Sequence, residues 1–76
     1  MMRFSDEMIV ALYVPRGLNP PLAEGEQIAC ARSRCARREH PAGTRAHRWV
    51  PREKNRPVIA LCPRCHDELL TIVAGG

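Results

Sequence analysis

The chain has 76 residues, of which 45% are hydrophobic and 26% charged, and its formal net charge at pH 7 is +4. No apolar run approaches the roughly 20 residues that a membrane-spanning helix needs, so we expect no membrane segment. A chain this short usually needs a metal or a disulfide to fold stably. The N-terminus lacks the basic start and apolar run of an export signal, so we expect a cytoplasmic protein with reduced cysteines.

The first predicted element covers Ser5 to Val14. Ser5 can serve as the N-cap of a helix with two acidic residues in its first turn. The apolar residues that would share one face of this helix are Met8, Ile9, Leu12 and Tyr13. A short strand is the alternative, because the run is apolar at almost every position. Pro15 is expected to end the element in either case.

Residues 15 to 27 are rich in proline and glycine, which predicts an extended connector along the surface. We therefore divide the chain into two parts. Residues 1 to 27 form an N-terminal helix or strand with its connector, and residues 28 to 76 form a metal-binding module.

All four cysteines fall into two close pairs, Cys30 with Cys35 and Cys62 with Cys65, with 26 residues between the pairs. Short gaps let the thiolates of each pair bind one tetrahedral ion, and the long gap leaves room for a β-hairpin. Disulfides are less compatible with a reducing compartment, and a redox role for the second pair would not need the first. The spacing therefore predicts one structural Zn²⁺ bound by all four cysteines.

Three elements are predicted within the module. Ile28 to Arg38 would form a zinc knuckle whose polar tip points outward, namely Arg32, Ser33 and Arg34. The segments Thr44 to Val50 and Pro57 to Leu61 have the composition of two hairpin strands joined by a polar loop. Cys62 and the following proline would open a helix that ends at the two C-terminal glycines.

The apolar stripe predicted for this helix consists of Leu69, Leu70 and Val73. A knuckle, a hairpin and a helix that begins at the second cysteine pair form a treble-clef zinc finger. The predicted fold class is thus a small α+β, zinc-stabilised domain with an added N-terminal helix.

Basic residues are concentrated around the predicted metal module. Residues 27 to 64 contain ten of the twelve basic residues and two of the eight acidic ones. Because each phosphate contact releases counterions, this concentration favours a nucleic-acid partner, with DNA favoured over RNA. The predicted phosphate contacts are Arg32, Arg34, Arg37, Arg38, Arg45, Arg48 and Arg52. Charges that are merely solvated, or that offset the thiolates, are the alternative.

The segments Ala46-His47-Arg48-Trp49-Val50-Pro51 and Val58-Ile59-Ala60-Leu61-Cys62-Pro63-Arg64-Cys65-His66-Asp67-Glu68-Leu69 resemble the cysteine-bearing type of HNH endonucleases. The resemblance covers about residues 30 to 70. In that family four cysteines hold a structural zinc, and a separate catalytic divalent ion lies between the strand and the helix. The resemblance implies that His47 stands where a catalytic-metal ligand is usual and that His66 matches the His/Asn position of the helix.

Two positions depart from the family pattern. Arg48 stands where the general-base histidine belongs, and an arginine keeps its proton at any useful pH. Leu70 stands where a further histidine is expected. If His47 and His66 nevertheless held a metal, Glu39 or His40 would have to supply a third ligand. Otherwise we expect both histidines to support the zinc site or the core, and His40 to be solvated.

The favoured interpretation is a zinc-binding, HNH-like nucleic-acid-binding protein without nuclease activity. One alternative is a small regulator, of the kind phages and mobile elements encode, that docks on a larger protein. The other is a metal-dependent HNH endonuclease with an atypical site built on His47 and His66. We expect Trp49 to close the core rather than to stack on a base. The sequence contains neither a phosphate-cradling glycine loop nor a nucleophile with an activating base, so we expect no small-molecule substrate.

Overall fold

The computed structural model describes residues 3–36 and 39–75 of the chain. The elements in chain order are α1 (Asp6–Leu12), β1 (Tyr13–Leu18), β2 (His47–Pro51), β3 (Ile59–Leu61) and α2 (Pro63–Gly75). The three strands form one antiparallel sheet in the order β1-β2-β3. The fold is therefore a small α+β fold, as predicted. In these two stretches of chain, neither helix has the length and apolar character needed to cross a membrane.

Helix α1 begins where the sequence predicts. The side chain of Ser5 caps the helix by accepting a hydrogen bond from the Met8 N–H at 3.3 Å. Asp6 and Glu7 occupy the first turn, where negative charge stabilises the free N–H groups. The helix interpretation is thus correct for residues 6–12, and the chain then changes directly to an extended conformation at Tyr13.

Strand β1 was not predicted, because residues 15 to 18 were assigned to the connector. Val14 pairs with Val50, and Pro15 pairs with Trp49. The expectation that Pro15 ends its element is wrong, since β1 is an edge strand and an edge tolerates a residue without an N–H. Gly17, with a φ of 100°, coincides with a register irregularity before Leu18.

Strands β2 and β3 form the predicted hairpin, although both are shorter than the sequence suggests. Trp49 pairs with Ile59, and His47 pairs with Leu61. Because side chains alternate along a strand, Trp49 points into the core while Arg48 points to solvent.

In space, the knuckle segment lies between β3 and the N-terminal segment at Phe4. Cys30 forms a parallel bridge with Ala60, and the Ala31 N–H donates to the Ala60 carbonyl at 3.0 Å. Phe4 bridges Arg32 in turn, with its N–H donating to the Ala31 carbonyl at 2.7 Å. The knuckle therefore joins the N-terminal segment to the sheet.

The core is built from side chains of both helices and all three strands. Its largest fully buried members are Trp49, Tyr13, Ile9, Leu61, Leu69 and Cys62. The burial of Trp49 confirms the prediction that it closes the core. The prediction of an apolar stripe on α2 is only partly correct. Leu69 is buried, but Leu70 and Val73 are 37% and 53% exposed. Residues 71–75 are all exposed, so the second half of α2 packs against little of the described domain.

Replacement of Trp49 should test how far this small core depends on one ring. We expect Trp49→Ala to lower the free energy of unfolding by about 3–5 kcal/mol, the usual cost of deleting a buried large aromatic side chain. Val58→Ala, at a site that is 53% exposed, is the control and should change it by less than about 0.5 kcal/mol. Chemical denaturation of the metal-loaded proteins measures both. Equal stability of the two variants would contradict the packing described here.

Candidate metal centre

The four cysteines converge as their spacing predicts. The sulfur atoms of Cys30, Cys35, Cys62 and Cys65 all lie within 4.8 Å of one another, and all four residues are buried. The sulfurs of Cys35 and Cys62 are 3.8 Å apart, and the cysteines form no disulfide. A tetrahedral ion with metal–sulfur bonds of about 2.3 Å separates its ligands by about 3.8 Å. The cluster is therefore positioned to bind a metal ion.

Each ligand pair is placed by a different local structure. Cys30 is aligned by its bridge to Ala60, and the Cys35 N–H donates to the Arg32 carbonyl at 3.1 Å across the knuckle turn. Cys62 directly follows β3, and Cys65 lies in the first turn of α2. The N-terminus of a helix stabilises thiolates because its N–H groups present partial positive charge.

Burial controls the ionisation of the thiols. Desolvation is the main cause that raises the pKa of Cys30 and of Cys65 above the usual value. Neighbouring Cys62 raises the pKa of Cys65 further, whereas a hydrogen bond from Arg32 lowers it. Without a metal the site therefore favours neutral thiols, and a bound cation must displace their protons.

Arg32 does not point outward as predicted. Its side chain is 8% exposed, and it donates from Nε to Asp6 Oδ1 at 2.7 Å and from Nη2 to Asp6 Oδ2 at 2.8 Å. Its Nη1 donates to Glu68, and it also hydrogen-bonds to the sulfur of Cys65. A buried guanidinium is tolerated here because two carboxylates offset its charge. The prediction that Arg32 points outward was wrong, because the sequence does not reveal that Asp6 is the partner of Arg32.

The hydrogen bond from Arg32 is the main cause that holds the pKa of Asp6 below its usual value. Two further arginines near the cysteines also meet carboxylates. Arg34 lies 3.8 Å from Asp6, and Arg64 lies 3.4 Å from Glu68, although both arginine side chains are exposed. Arginine charge around the metal centre is therefore largely compensated.

The arginines next to β1 and β2 have a different environment. Arg48 donates from Nε and Nη2 to the Arg16 carbonyl at 3.2 and 3.1 Å, and Arg45 donates to the Asn19 carbonyl at 2.9 Å. Arg52 reaches the Val10 carbonyl at 3.4 Å. Within residues 3–36 and 39–75, no carboxylate forms an ion pair with these side chains. We call this exposed set the basic ribbon, and its members are Arg16, Arg45, Arg48 and Arg52.

Sequence reasoning placed Arg45, Arg48 and Arg52 among the phosphate contacts but missed Arg16. Arg16 lies outside the basic segment of the sequence, and only the pairing of β1 with β2 brings it beside Arg48. The predicted contacts Arg37 and Arg38 lie outside the described residues.

The imidazoles of His47 and His66 lie face to face. Their ring centroids are 3.6 Å apart and their planes differ by 5°. The Trp49 indole N–H donates to His66 Nδ1 at 3.0 Å. Burial, together with the nearby His47, lowers the pKa of His66 and so favours the neutral imidazole, which can accept this hydrogen bond.

This stack does not suit a shared metal ion. Imidazole lone pairs lie in the ring plane, so two parallel stacked rings direct them to separate points, and the indole occupies one nitrogen of His66. Among the described residues, the four cysteines are the one group of three or more potential ligands close enough for a metal. Glu39 is exposed, and neither it nor His40 completes a site with the two histidines. His40 is half-buried rather than solvated, with no hydrogen-bond partner for Nδ1 in the described part of the chain.

Comparison with known proteins adds no family assignment. Family models, curated proteins and solved structures all yielded no match to this chain. The resemblance to HNH endonucleases thus receives no support from these comparisons.

Loss of one cysteine should abolish the metal site. We expect Cys62→Ser to eliminate the intense thiolate-to-metal absorption that a tetrahedral four-sulfur site gives with Co²⁺, because one of the four ligands is lost. Ser33→Ala, which alters an exposed residue of the knuckle turn, is the control and should retain the absorption. An unchanged spectrum in Cys62→Ser would show that the cluster does not bind the metal.

Metal affinity should depend on pH. Because the pKa of Cys30 and of Cys65 is raised, these thiols hold protons that compete with the cation. The apparent affinity should therefore rise continuously between about pH 6 and pH 8, with protons released on binding. Competition with a chelator of known pH dependence measures this trend. A constant affinity over that range would contradict the protonated metal-free state.

Proposed function

We propose that this chain is a zinc-binding module that binds nucleic acid through phosphate contacts of the basic ribbon and has no nuclease activity. The observation that carries the proposal is the pairing of the ribbon arginines with backbone carbonyls instead of carboxylates. A carbonyl orients a guanidinium without cancelling its charge. The ribbon therefore retains positive charge and free N–H donors, which are the groups that phosphate oxygens accept from.

Zinc is the metal that best suits the cysteine cluster. Four thiolates in tetrahedral arrangement favour zinc or an iron site, and a buried, closed set of four cysteines is typical of structural zinc. A knuckle, a hairpin and a helix with the second cysteine pair at its start support assignment of residues 28 to 76 to the treble-clef class. The HNH-like segments lie in this same part of the chain.

The absence of nuclease activity is proposed from the residues at the equivalent positions. Arg48 cannot act as a general base, and its guanidinium is directed to the Arg16 carbonyl. His47 and His66 are stacked on each other, and His66 accepts from Trp49. Both imidazoles thus contribute to packing beside the metal centre, and a catalytic cation would have to disrupt that arrangement.

A protein-binding regulator is the second candidate. One observation favours it, namely the exposed apolar side chains near the end of α2, Leu70, Ile72 and Val73. The N-terminal segment packs in the core through Ile9 and Tyr13. Salt separates the two candidates, since an apolar protein interface responds little to ionic strength.

The decisive experiment measures binding of the zinc-loaded protein to labelled duplex DNA and RNA at several salt concentrations. On duplex DNA each phosphate contact contributes about −0.9 to the slope of log affinity against log salt, so four contacts predict a slope near −3.6. The variant Arg45→Ala/Arg48→Ala/Arg52→Ala should flatten this slope by roughly 2.7 and weaken binding at low salt.

The control for this variant is Arg64→Ala. Arg64 is exposed but pairs with Glu68 on α2, so its loss should leave the slope unchanged. Addition of Mg²⁺ or Mn²⁺ should produce no cleavage. Salt-independent binding, or an equal change of slope in Arg64→Ala and in the triple variant, would contradict the ribbon. Metal-dependent cleavage lost in His47→Ala would establish the nuclease alternative.

A further inference from the structure

We infer that the buried pair of Asp6 and Arg32 couples metal occupancy to the docking of α1 and β1. Asp6 thereby becomes a positioning residue for the metal centre, although it precedes the first ligand, Cys30, by 24 residues. The inference rests on the metal-binding part of the proposed function and does not require nucleic-acid binding.

One guanidinium joins three segments of the chain. Arg32 belongs to the loop between Cys30 and Cys35, binds Asp6 of α1 through two donors, and reaches α2 through Glu68. The side chains of Arg32 and Asp6 are 8% and 11% exposed, so water cannot easily replace either partner. If Asp6 is removed, Arg32 keeps only Glu68, whose side chain is 47% exposed, as a carboxylate partner.

Backbone contacts parallel the ion pair. The Phe4 N–H donates to the Ala31 carbonyl at 2.7 Å, and the Ser33 N–H donates to the Phe4 carbonyl at 2.9 Å. Phe4 in turn contacts the ring of Tyr13, with ring centroids 5.8 Å apart. A continuous set of contacts therefore leads from the ligand loop to the first residue of β1.

The metal can bias these contacts in two ways. A bound ion fixes both ends of the Cys30–Cys35 loop and hence the backbone of residues 31–33, to which Phe4 binds. Four thiolates with one divalent cation also carry a net charge of −2, and the Arg32 guanidinium lines the same cavity as Cys65. Asp6 holds that guanidinium in place, so its contribution differs between the metal-bound and metal-free states.

The coupling has a consequence for the basic ribbon. Strand β1 carries Arg16, and the Arg16 carbonyl orients Arg48. Because β1 is also paired with β2, loss of the metal would weaken, rather than abolish, the placement of this acceptor. The metal state would thus influence Arg16 and Arg48, two of the four ribbon arginines. By linkage, the factor by which zinc strengthens the docking of α1 equals the factor by which that docking strengthens zinc binding.

The test compares Asp6→Asn with Glu7→Gln, a matched loss of one exposed acid from the same helix turn. Competition with a zinc-binding dye measures affinity, and circular dichroism checks the fold of each zinc-loaded variant. We expect Asp6→Asn to bind Zn²⁺ about 10-fold more weakly, the lower end of the effect of residues that support metal ligands. Glu7→Gln should stay within about twofold of wild type.

A purely structural salt bridge would lower the melting temperature without changing zinc affinity. The second measurement is therefore hydrogen exchange of residues 4–18 in wild type and in Asp6→Asn, each with and without zinc. We expect zinc to slow this exchange in wild type and to slow it less in Asp6→Asn. If Asp6→Asn fails to fold, Arg32→Lys provides a second test, because it keeps the charge but lacks the planar pair of nitrogens that binds both carboxylate oxygens of Asp6.

Three results would overturn the inference. The first is zinc affinity in Asp6→Asn within twofold of wild type. The second is equal exchange of residues 4–18 with and without zinc. In both cases the proposed metal site itself would stand. The third is a wild-type protein that binds no zinc, which would remove the proposed metal site along with the coupling.

Discussion

Convergence of four sulfur atoms at one point is the constraint on which the rest of the molecule depends. The cysteines come from the knuckle and from the junction of β3 with α2, so a metal that binds all four holds these elements at fixed positions. The residues between Cys30 and Cys35 in turn bind the N-terminal segment. A small core around Trp49 could not by itself impose this arrangement on 76 residues.

The arginines whose contacts are described above have two kinds of environment, and this difference supports the proposed function. Near the cysteines, Arg32 and Arg64 meet carboxylates, which offset their charge and tie the helices to the metal centre. Along β1 and β2, Arg45 and Arg48 meet neutral carbonyls, so their charge stays available to a ligand. Net charge alone does not distinguish these roles, because it counts every arginine equally.

The histidines show how a catalytic-looking pattern can serve packing. His47 and His66 stack between the hairpin and the helix, and the buried indole of Trp49 satisfies its N–H on His66. A buried indole needs such an acceptor, since an unpaired N–H in the core is costly. The two histidines that suggest an endonuclease in the sequence therefore pack with Trp49 next to the cysteine cluster.

The sequence by itself determined the features that depend on local pattern: the cysteine pairs from their spacing, the start of α1 from its cap, the hairpin from its composition, and the start of α2 from its proline. Tertiary structure decided the pairing of β1 with β2, the burial of Arg32 against Asp6, and the meeting of Arg16 with Arg48. Each of these joins residues 26 or more positions apart. Propensity and periodicity describe neighbours along the chain, so they cannot identify which distant carboxylate or carbonyl will neutralise or orient a given arginine.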